Sequence, residues 1–446
     1  MFRPLPLVRP RTLDHLTRGS GTTVTLRSTL THEPLGTASV CTPADILGAV
    51  AEARLDAGRW GYTPRPTRVG ILRHFVRLIR AEREALMGLA QHACGLSIRD
   101  AAADLRSATS LLERMTGRGV GRYRLSVRRQ AAAVPDAVRV VATRDHEARP
   151  FTALLEGALP ALAGGSGVLT ETCEHTAVTT AHVIALARHA GLPTTAWRPL
   201  LGNGADAHAL LTEHTDGYRA GCCPSRCGSD RSGPRTARAL LAVRHDARMS
   251  AAVRSALRSC FAAAGRSCTS SPLVVVHTRL VERFTEEFTR AAAHTPVQSP
   301  LAPASVLSAL ADEAQVGALR SYVEATHTRG GEILHDGGHR PETAPWLHGP
   351  VVLSYPDVGA VDPAGVPPGP VAVIVPFDAW AEVLRLSRDT NRHVRVHTAT
   401  DAAQLMLQFA GLPADDIQVN RTVRRPPPRR PGGRDQRWTE AGRVCR

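Results

Sequence analysis

Apolar residues recur at helical spacing through the first quarter of the chain. Between Thr42 and about Thr116 they predict three amphipathic segments, PADILGAVAEARL, TRVGILRHFVRLIRAEREALMGLAQHAC and SIRDAAADLRSATSLLERM. The next stretch, RYRLSVRRQAAAVPDAVRVVA, alternates apolar and polar positions around a Pro-Asp pair, which is typical of a hairpin that leads into a strand. We therefore expect a helical opening followed by a hairpin around Leu125 to Val138.

Strands and helices alternate along most of the remaining chain. FTALLEGALPALAGG and TAVTTAHVIALARHAGLP read as helices, whereas SGVLT and AWRPLLGNG read as strands, the latter ending in a turn. A second alternating region runs from about Ala239 to Gln418. Its strands are expected near Leu273, Pro350, Val371 and Val394. Short links between alternating strands and helices favour an α/β fold built from two doubly wound domains with parallel sheets.

These patterns divide the chain into five expected parts. They are a helical N-terminal part of the cofactor domain (1–118), an oligomerisation hairpin (119–137), a Rossmann-like cofactor domain (138–238), a catalytic domain (239–418) and a basic tail rich in Pro and Arg (419–446).

The net charge of +15 raises the question of a polyanionic partner. All 55 basic residues are arginine, and many alternate with acidic residues along helices, which is typical of solvated helix faces. No groove interleaved with aromatic residues accompanies them, so we expect no specific nucleic-acid partner. The absence of lysine also excludes a Walker A site and a Schiff base.

The cysteine pattern and the hydropathy pattern indicate a cytoplasmic protein. Nine cysteines are scattered without framework spacing, which favours free thiols. No apolar run reaches the roughly 18 residues of a membrane span, so no membrane partner is expected. Cys222, Cys223 and Cys227 with His214 lack two separated C-x₂-C knuckles, and we expect no metal site.

Six segments carry a family resemblance. They are EPLGTASVCTPADILGAVAEAR, ALPALAGGSGVLTETCEHTAVTTAHVIALARHAGLP, SAAVRSALRSCFAAAGRSCTSSPLVVVHTRLVERFTEEF, RGGEILHDGG, GPVAVIVPF and DDIQVN. In this order and at these spacings they resemble the NAD(P)-dependent aldehyde dehydrogenase superfamily, particularly its succinate-semialdehyde dehydrogenases, from about Thr31 to Asn420. The resemblance implies the aldehyde dehydrogenase-like α/β fold with a small oligomerisation hairpin.

The same resemblance implies a specific chemistry. A cysteine thiolate attacks an aldehyde, an asparagine amide and a backbone N–H hold the oxyanion, and hydride passes to a nicotinamide. A glutamate then activates water to release the acid, while a lysine and a second glutamate bind the two ribose units of the cofactor.

Several of these positions carry different residues here. GRSC matches the family's Gly-Gln-x-Cys element, which puts Cys268 at the nucleophile and Arg266 at the glutamine. HEARP matches Pro-Trp-Asn-x-Pro, so Ala148 stands at the oxyanion asparagine. The Lys-Pro element falls on Glu171 and Thr172.

Two further positions have also changed. GPRTA puts Pro234 at the general base, and VPPGP puts Val366 at the ribose glutamate. A shift of the alignment restores none of the lost residues, because the chain has no lysine, no asparagine before Asn203 and no glutamate between Glu213 and Glu282.

These substitutions leave two groups of candidate residues. Cys268 is the candidate catalytic residue, with a packed structural cysteine as the alternative interpretation. Glu147 and Glu171 are candidate cofactor-binding residues. Glu171 could accept hydrogen bonds from ribose hydroxyls and would repel a 2′-phosphate, so we expect NAD rather than NADP, bound weakly or not at all. An exposed carboxylate at a strand end is the alternative for Glu171.

The resemblance and the losses together predict a pseudoenzyme, that is, an aldehyde dehydrogenase family protein with little or no catalytic activity. Its expected partners are a small aldehyde if activity remains, and a second copy or an active paralogue as an oligomer. A non-catalytic scaffold, a weakly active enzyme that relies on Cys268 and a decaying gene product remain open as alternatives.

Overall fold

The computed structural model describes most of the chain. It covers residues 12–16, 19–116, 139–202, 205–220, 239–267, 269–362, 365–390, 393–400, 405, 416–420, 437–439 and 443–445. The described residues form two compact units, one from the chain up to Arg231 and one from the chain beginning at Ser232. The predicted hairpin at 119–137 and most of the basic tail lie outside the described residues.

The first unit opens with an antiparallel hairpin and a group of helices. The hairpin pairs β1 (Thr23–Arg27) with β2 (Pro34–Ser39). The helices are α1 (Pro43–Tyr62), α2 (Arg65–Ala81), α3 (Arg83–Cys94) and α4 (Ile98–Thr116). Thr42 and Asp45 form a reciprocal capping box that satisfies donors at the start of α1, which explains why the helix begins at Pro43.

A parallel sheet forms the centre of the first unit. Its strands are β3 (Val140–Arg144), β4 (Gly167–Thr172), β5 (Trp197–Leu201) and β6 (Tyr218–Ala220), in the spatial order β5-β4-β3-β6. The connecting helices are α5 (Pro150–Gly164), α6 (Ala177–His189) and α7 (Ala205–His214). Apolar side chains of one sheet face, including Ala142 and Leu169, pack against α1 and α7.

The second unit is built on a larger mixed sheet. Its described strands run in the order β14-β15-β13-β12-β7-β8-β11-β10-β9. Those strands are β7 (Leu240–Val243), β8 (Leu273–His277), β9 (Glu332–Asp336), β10 (Val351–Ser354), β11 (Val371–Phe377), β12 (His393–His397), β13 (Asp416–Val419), β14 (Arg437–Thr439) and β15 (Arg443–Cys445). The six strands from β13 to β10 are parallel, and β9 and β15 pair antiparallel with their neighbours.

Helices cover both faces of this sheet. They are α8 (Met249–Phe261), α9 (Thr278–Ala293), α10 (Glu313–Glu324) and α11 (Trp380–Thr390). Buried Val and Leu side chains of the central strands pack against α10 and α11, and stacked Phe261, Phe284 and Phe288 join α8 to α9. Strands that are apolar on both sides are typical of a parallel sheet enclosed by helices.

The fold class predicted from the sequence is confirmed in both units, with two local differences. The segment from Thr67 to Cys94, expected as one helix, is divided by Glu82 into α2 and α3. The β1–β2 hairpin was not predicted. Among the described helices, none has the length and apolarity needed to cross a bilayer.

Candidate functional site

The strands of the first unit's sheet end at one edge, which we call the carboxyl edge. In the sheet register Arg144 at the end of β3 lies opposite Glu171 on β4, and Ala142 lies opposite both Leu169 and Tyr218. Side chains two residues apart on a strand share a face, so Arg144, Glu171 and Tyr218 project to the α7 side of the sheet.

Four polar side chains meet on this face: Arg144, Glu171, Tyr218 and His208 of α7. We call them the Glu171 cluster. The hydroxyl of Tyr218 donates to Oε2 of Glu171 at 2.6 Å. Nε of Arg144 lies 4.0 Å from Oε1, and Nδ1 of His208 lies 3.9 Å from Oε2. The imidazole of His208 also packs edge-on against the Tyr218 ring, with centroids 4.4 Å apart.

Glu171 is enclosed by these partners. Its side chain is only 4% exposed, and Gly202, after β5, lies so close that a Cβ there would be 3.2 Å from Cγ of Glu171. The alternative of an exposed carboxylate at a strand end is therefore wrong. Burial, followed by the charge of Glu171, raises the pKa of Tyr218 far above its usual range, so its hydroxyl stays protonated and can donate.

A second buried carboxylate, Asp145, follows β3 directly. Thr176 donates to its Oδ1 at 2.8 Å and Thr180 to its Oδ2 at 2.6 Å. Burial raises the pKa of Asp145 to about 6, although these hydroxyl groups partly offset that effect. Asp145 therefore connects the end of β3 to the first turns of α6.

Ala148 and Glu147 lie in the loop between β3 and α5. Ala148 is fully buried, and its backbone N–H donates to Nδ1 of His146 at 3.1 Å. Oε2 of Glu147 lies 3.5 Å from the same imidazole nitrogen. A methyl group thus occupies the position that the resemblance gives to the oxyanion amide.

The start of α5 is held by a residue distant in sequence. Asp104 of α4 is buried and accepts hydrogen bonds from the backbone N–H groups of Phe151, at 2.8 Å, and Thr152, at 3.4 Å. A carboxylate is favoured at a helix N-terminus because it satisfies free donors there.

In the second unit, residues 262–267 form the turn that precedes Cys268, which we call the nucleophile turn. Three consecutive residues have left-handed backbone angles: Ala263 at φ 51°, Ala264 at φ 53° and Gly265 at φ 64°. A Cβ on Gly265 would lie 1.8 Å from the carbonyl oxygen of Gly369, so only glycine fits there. The turn therefore packs directly on the VPPGP segment.

Two buried arginines support the segment around Cys268. Arg266 is 5% exposed, and its Nε donates to the carbonyl oxygen of Ala263 at 3.4 Å. Arg395 of β12 donates from Nη1 to the carbonyl oxygen of Thr269 at 2.7 Å and to the hydroxyl of Ser271. The sequence analysis missed Arg395, although a charged residue within the apolar alternation HVRVH was a usable signal.

Val366, at the position that the resemblance gives to the ribose glutamate, is 1% exposed and belongs to the apolar core of the second unit. Its side chain therefore packs with carbon groups and supplies no hydrogen-bond acceptor.

The remaining candidates lie outside the described residues. These are Cys268, Pro234, Cys222, Cys223 and Cys227. Of the predicted cofactor residues, Glu147 lies in the loop after β3 and Glu171 lies near the end of the neighbouring strand β4, at the same carboxyl edge. Glu147 lies near His146, whereas Glu171 contacts Tyr218.

Comparisons with known proteins identify the family. A model of the aldehyde dehydrogenase family matches residues 16–218 and 237–436. The chain therefore belongs to the aldehyde dehydrogenase family.

Its relatives include semialdehyde dehydrogenases. A putative succinate-semialdehyde dehydrogenase (NADP(+)) of Mycolicibacterium smegmatis is 24% identical over 384 residues, which is 81% of this chain and 72% of the relative. The alpha-ketoglutaric semialdehyde dehydrogenase of Bacillus subtilis is 26% identical over 270 residues, 56% of this chain and 54% of the relative.

Solved structures show the same fold. A 3,6-anhydro-L-galactose dehydrogenase in complex with NAP superposes with a TM-score of 0.76 at 18% identity, covering 92% of this chain and 90% of that one. An indole-3-acetaldehyde dehydrogenase complexed with NAD+ superposes with a TM-score of 0.75 at 21% identity, covering 91% and 86%.

Proposed function

We propose that this chain is an aldehyde dehydrogenase family protein of the succinate-semialdehyde type that has lost most or all of its oxidation activity. The observation that carries the proposal is Ala148, a fully buried methyl group at the position of the oxyanion amide. No asparagine precedes Asn203 in the chain, so no shift of the alignment places an asparagine at that position.

The expected loss follows from the magnitude of each missing contribution. Removal of one oxyanion donor typically lowers kcat by about 10²- to 10³-fold, and removal of general acid–base assistance by a further ~10²- to 10⁴-fold, although such effects overlap. A typical enzyme turns over about 10 times per second. We therefore expect a turnover number below ~10⁻³ s⁻¹.

A steady-state assay tests this proposal. The full chain is incubated with succinate semialdehyde and with either NAD or NADP, and reduced cofactor is followed beside a Cys268→Ala variant. The two proteins are expected to give the same rate. Circular dichroism melting establishes that both are folded. A rate well above that of Cys268→Ala, and above ~10⁻² s⁻¹, would contradict the proposal.

A non-catalytic binding role is the second candidate, and a specific feature favours it over a decaying gene product. Glu171 replaces a cation by an anion in a buried place, a change that costs several kcal/mol when left uncompensated. Here the carboxylate has Tyr218 and Arg144 as partners. Such compensation supports selection for a folded protein. Co-purification of the tagged chain with an active paralogue tests this role, and a chain that purifies only alone and aggregates would contradict it.

A further inference from the structure

The topology of the first unit's sheet fixes where a ligand could bind. The chain passes from β3 to β4 to β5 in one direction and then places β6 on the other side of β3. In open parallel sheets, ligands bind outside the carboxyl ends of the strands at the point where the strand order reverses. That point lies between β3 and β6, beside Arg144 and Tyr218.

One side-chain contact spans this point. Tyr218 on β6 pairs with Ala142 on β3, and its hydroxyl reaches Glu171 on β4, the strand beyond β3. On this face, β3 carries the methyl group of Ala142 opposite Tyr218 and the side chain of Arg144 opposite Glu171. The phenol and the carboxylate therefore bridge three strands at the edge where a dinucleotide would lie.

The bridge uses the groups that a ribose would need. One carboxylate oxygen of Glu171 accepts from Tyr218, and the other lies nearest to Arg144. With its side chain 4% exposed, Glu171 can meet a ribose hydroxyl only if Tyr218 moves away. These residues do not fit a bound dinucleotide in the arrangement that the structure shows.

We infer that the contact between Tyr218 and Glu171 closes the ligand crevice of the first unit, so that the chain binds neither NAD nor NADP at the ribose position. The hydrogen bond between Tyr218 and Glu171 thus holds the side chains of the carboxyl edge in place without a bound ligand. The inference deepens the proposed function and rests on it in one respect, since both take Glu171 to stand at the ribose-binding position.

Direct titration of the full chain with each dinucleotide, without aldehyde, is the first test. Isothermal calorimetry is expected to detect no saturable binding of NAD or NADP with a dissociation constant below about 1 mM, the upper end of the usual range for enzyme substrates. Saturable binding of either one below that limit would overturn the inference. Binding without cofactor reduction in the aldehyde assay would overturn this inference alone and leave the proposed function intact.

A double-mutant cycle tests the bridge itself. Tyr218→Phe keeps the ring against His208, and Glu171→Gln keeps the size of the side chain. Each is expected to lower the unfolding midpoint by a few degrees, and the double variant to be lowered by less than the sum of the two, because Tyr218→Phe removes the hydrogen bond and Glu171→Gln weakens the same bond by removing the charge of its acceptor. Additive lowering, or no effect of Tyr218→Phe, would overturn the inference.

Tyr62→Phe is the matched control for the loss of a phenolic hydroxyl. Tyr62 is 89% exposed, and its variant is expected to melt at the midpoint of the unchanged protein. If Glu171→Gln does not fold, the comparison of Tyr218→Phe with Tyr62→Phe still decides whether the bridging hydroxyl contributes.

Discussion

The nucleophile turn of the second unit and the carboxyl edge of the first unit are held by different means. The turn is defined by its backbone, with three consecutive left-handed residues of which the last, Gly265, packs on Gly369. The edge is defined by side chains, in which Glu171, Tyr218 and Arg144 are partners and Ala148 is a buried methyl group. Backbone conformation therefore defines one region, whereas contacts between polar side chains define the other.

Under the proposed function, this difference explains how the fold persists without the family's chemistry. Any larger residue at Gly265 would clash with the backbone of Gly369, so folding alone requires glycine at this position. Residues such as Ala148 and Glu171 contribute to folding through packing and internal contacts, and a new set of partners can satisfy that requirement. The predictions below probe the two regions, from the largest expected effect to the smallest.

Replacing Gly265 by alanine should have the largest effect. A Cβ would clash with the carbonyl oxygen of Gly369 and would also be placed at φ 64°. We expect Gly265→Ala to lower the free energy of unfolding by about 3–5 kcal/mol, combining the cost of overpacking with that of left-handed backbone. Urea unfolding of the full chain measures this loss.

Gly330→Ala is the control for Gly265→Ala. Gly330 has a similar φ of 75°, but a Cβ there would meet nothing within 4 Å. Its cost should be about 1–2 kcal/mol, from backbone conformation alone. If Gly265→Ala and Gly330→Ala lowered the free energy of unfolding equally, the tight packing of the nucleophile turn would be contradicted.

His397 should make the second unit sensitive to acid. Burial, with a smaller contribution from Arg395, lowers the pKa of this imidazole to about 4. Below the ordinary pKa of about 6.5 the unfolded chain takes up a proton that the folded chain does not, so stability is lost as the pH falls from about 6.5 to 4. The full loss would be about 3 kcal/mol. Urea unfolding of His397→Leu should show a correspondingly flatter pH profile, and identical profiles would contradict this prediction.

Asp145 should make the first unit less stable as the pH rises, which is the opposite of the effect of His397. Its folded pKa of about 6 lies above the ordinary value, so its contribution to stability is greatest below about pH 4 and declines as the pH rises through 6. We expect the unchanged protein to lose about 2 kcal/mol relative to Asp145→Asn between pH 4 and 7. Urea unfolding at these two pH values measures the difference, and a constant difference would show that Asp145 does not titrate in this range.

The smallest expected effect is at the alanines of the nucleophile turn. Ala263→Gly removes a left-handed L-residue and should raise the free energy of unfolding by about 0.5 kcal/mol, because the gain exceeds the entropy cost of glycine. Neighbouring Ala262, at φ −60° and ψ 138°, has no such strain, and Ala262→Gly should lower stability by about 0.5–1 kcal/mol. Thermal or urea unfolding measures both variants. If Ala263→Gly and Ala262→Gly changed the free energy of unfolding in the same direction, the strain assigned to Ala263 would be contradicted.

The fold could be predicted from the sequence because its signals are local. Apolar runs at Val168, Leu273 and Val371 mark buried parallel strands, and the described strands begin within a residue or two of them. The division at Glu82 was missed because no proline or glycine marks it.

The chemistry of the carboxyl edge could be predicted only in part. The identity of Glu171 and Ala148 at their positions was readable from the motifs. The contact of Glu171 with Tyr218 was not, since it joins residues 47 positions apart and depends on the strand order β4-β3-β6. Arg395 contacts the carbonyl of Thr269 across 126 positions, and no local pattern reveals such a pair.

The most direct test of the account is a single-turnover measurement with folded protein in excess over NAD and with succinate semialdehyde present. The account predicts no NADH beyond that formed by Cys268→Ala, because the chain has Ala148 at the position that the resemblance gives to the oxyanion asparagine and no glutamate between Glu213 and Glu282. A burst that approaches one equivalent of the added NAD and disappears in Cys268→Ala would contradict it, since aldehyde attack and hydride transfer would then both be intact.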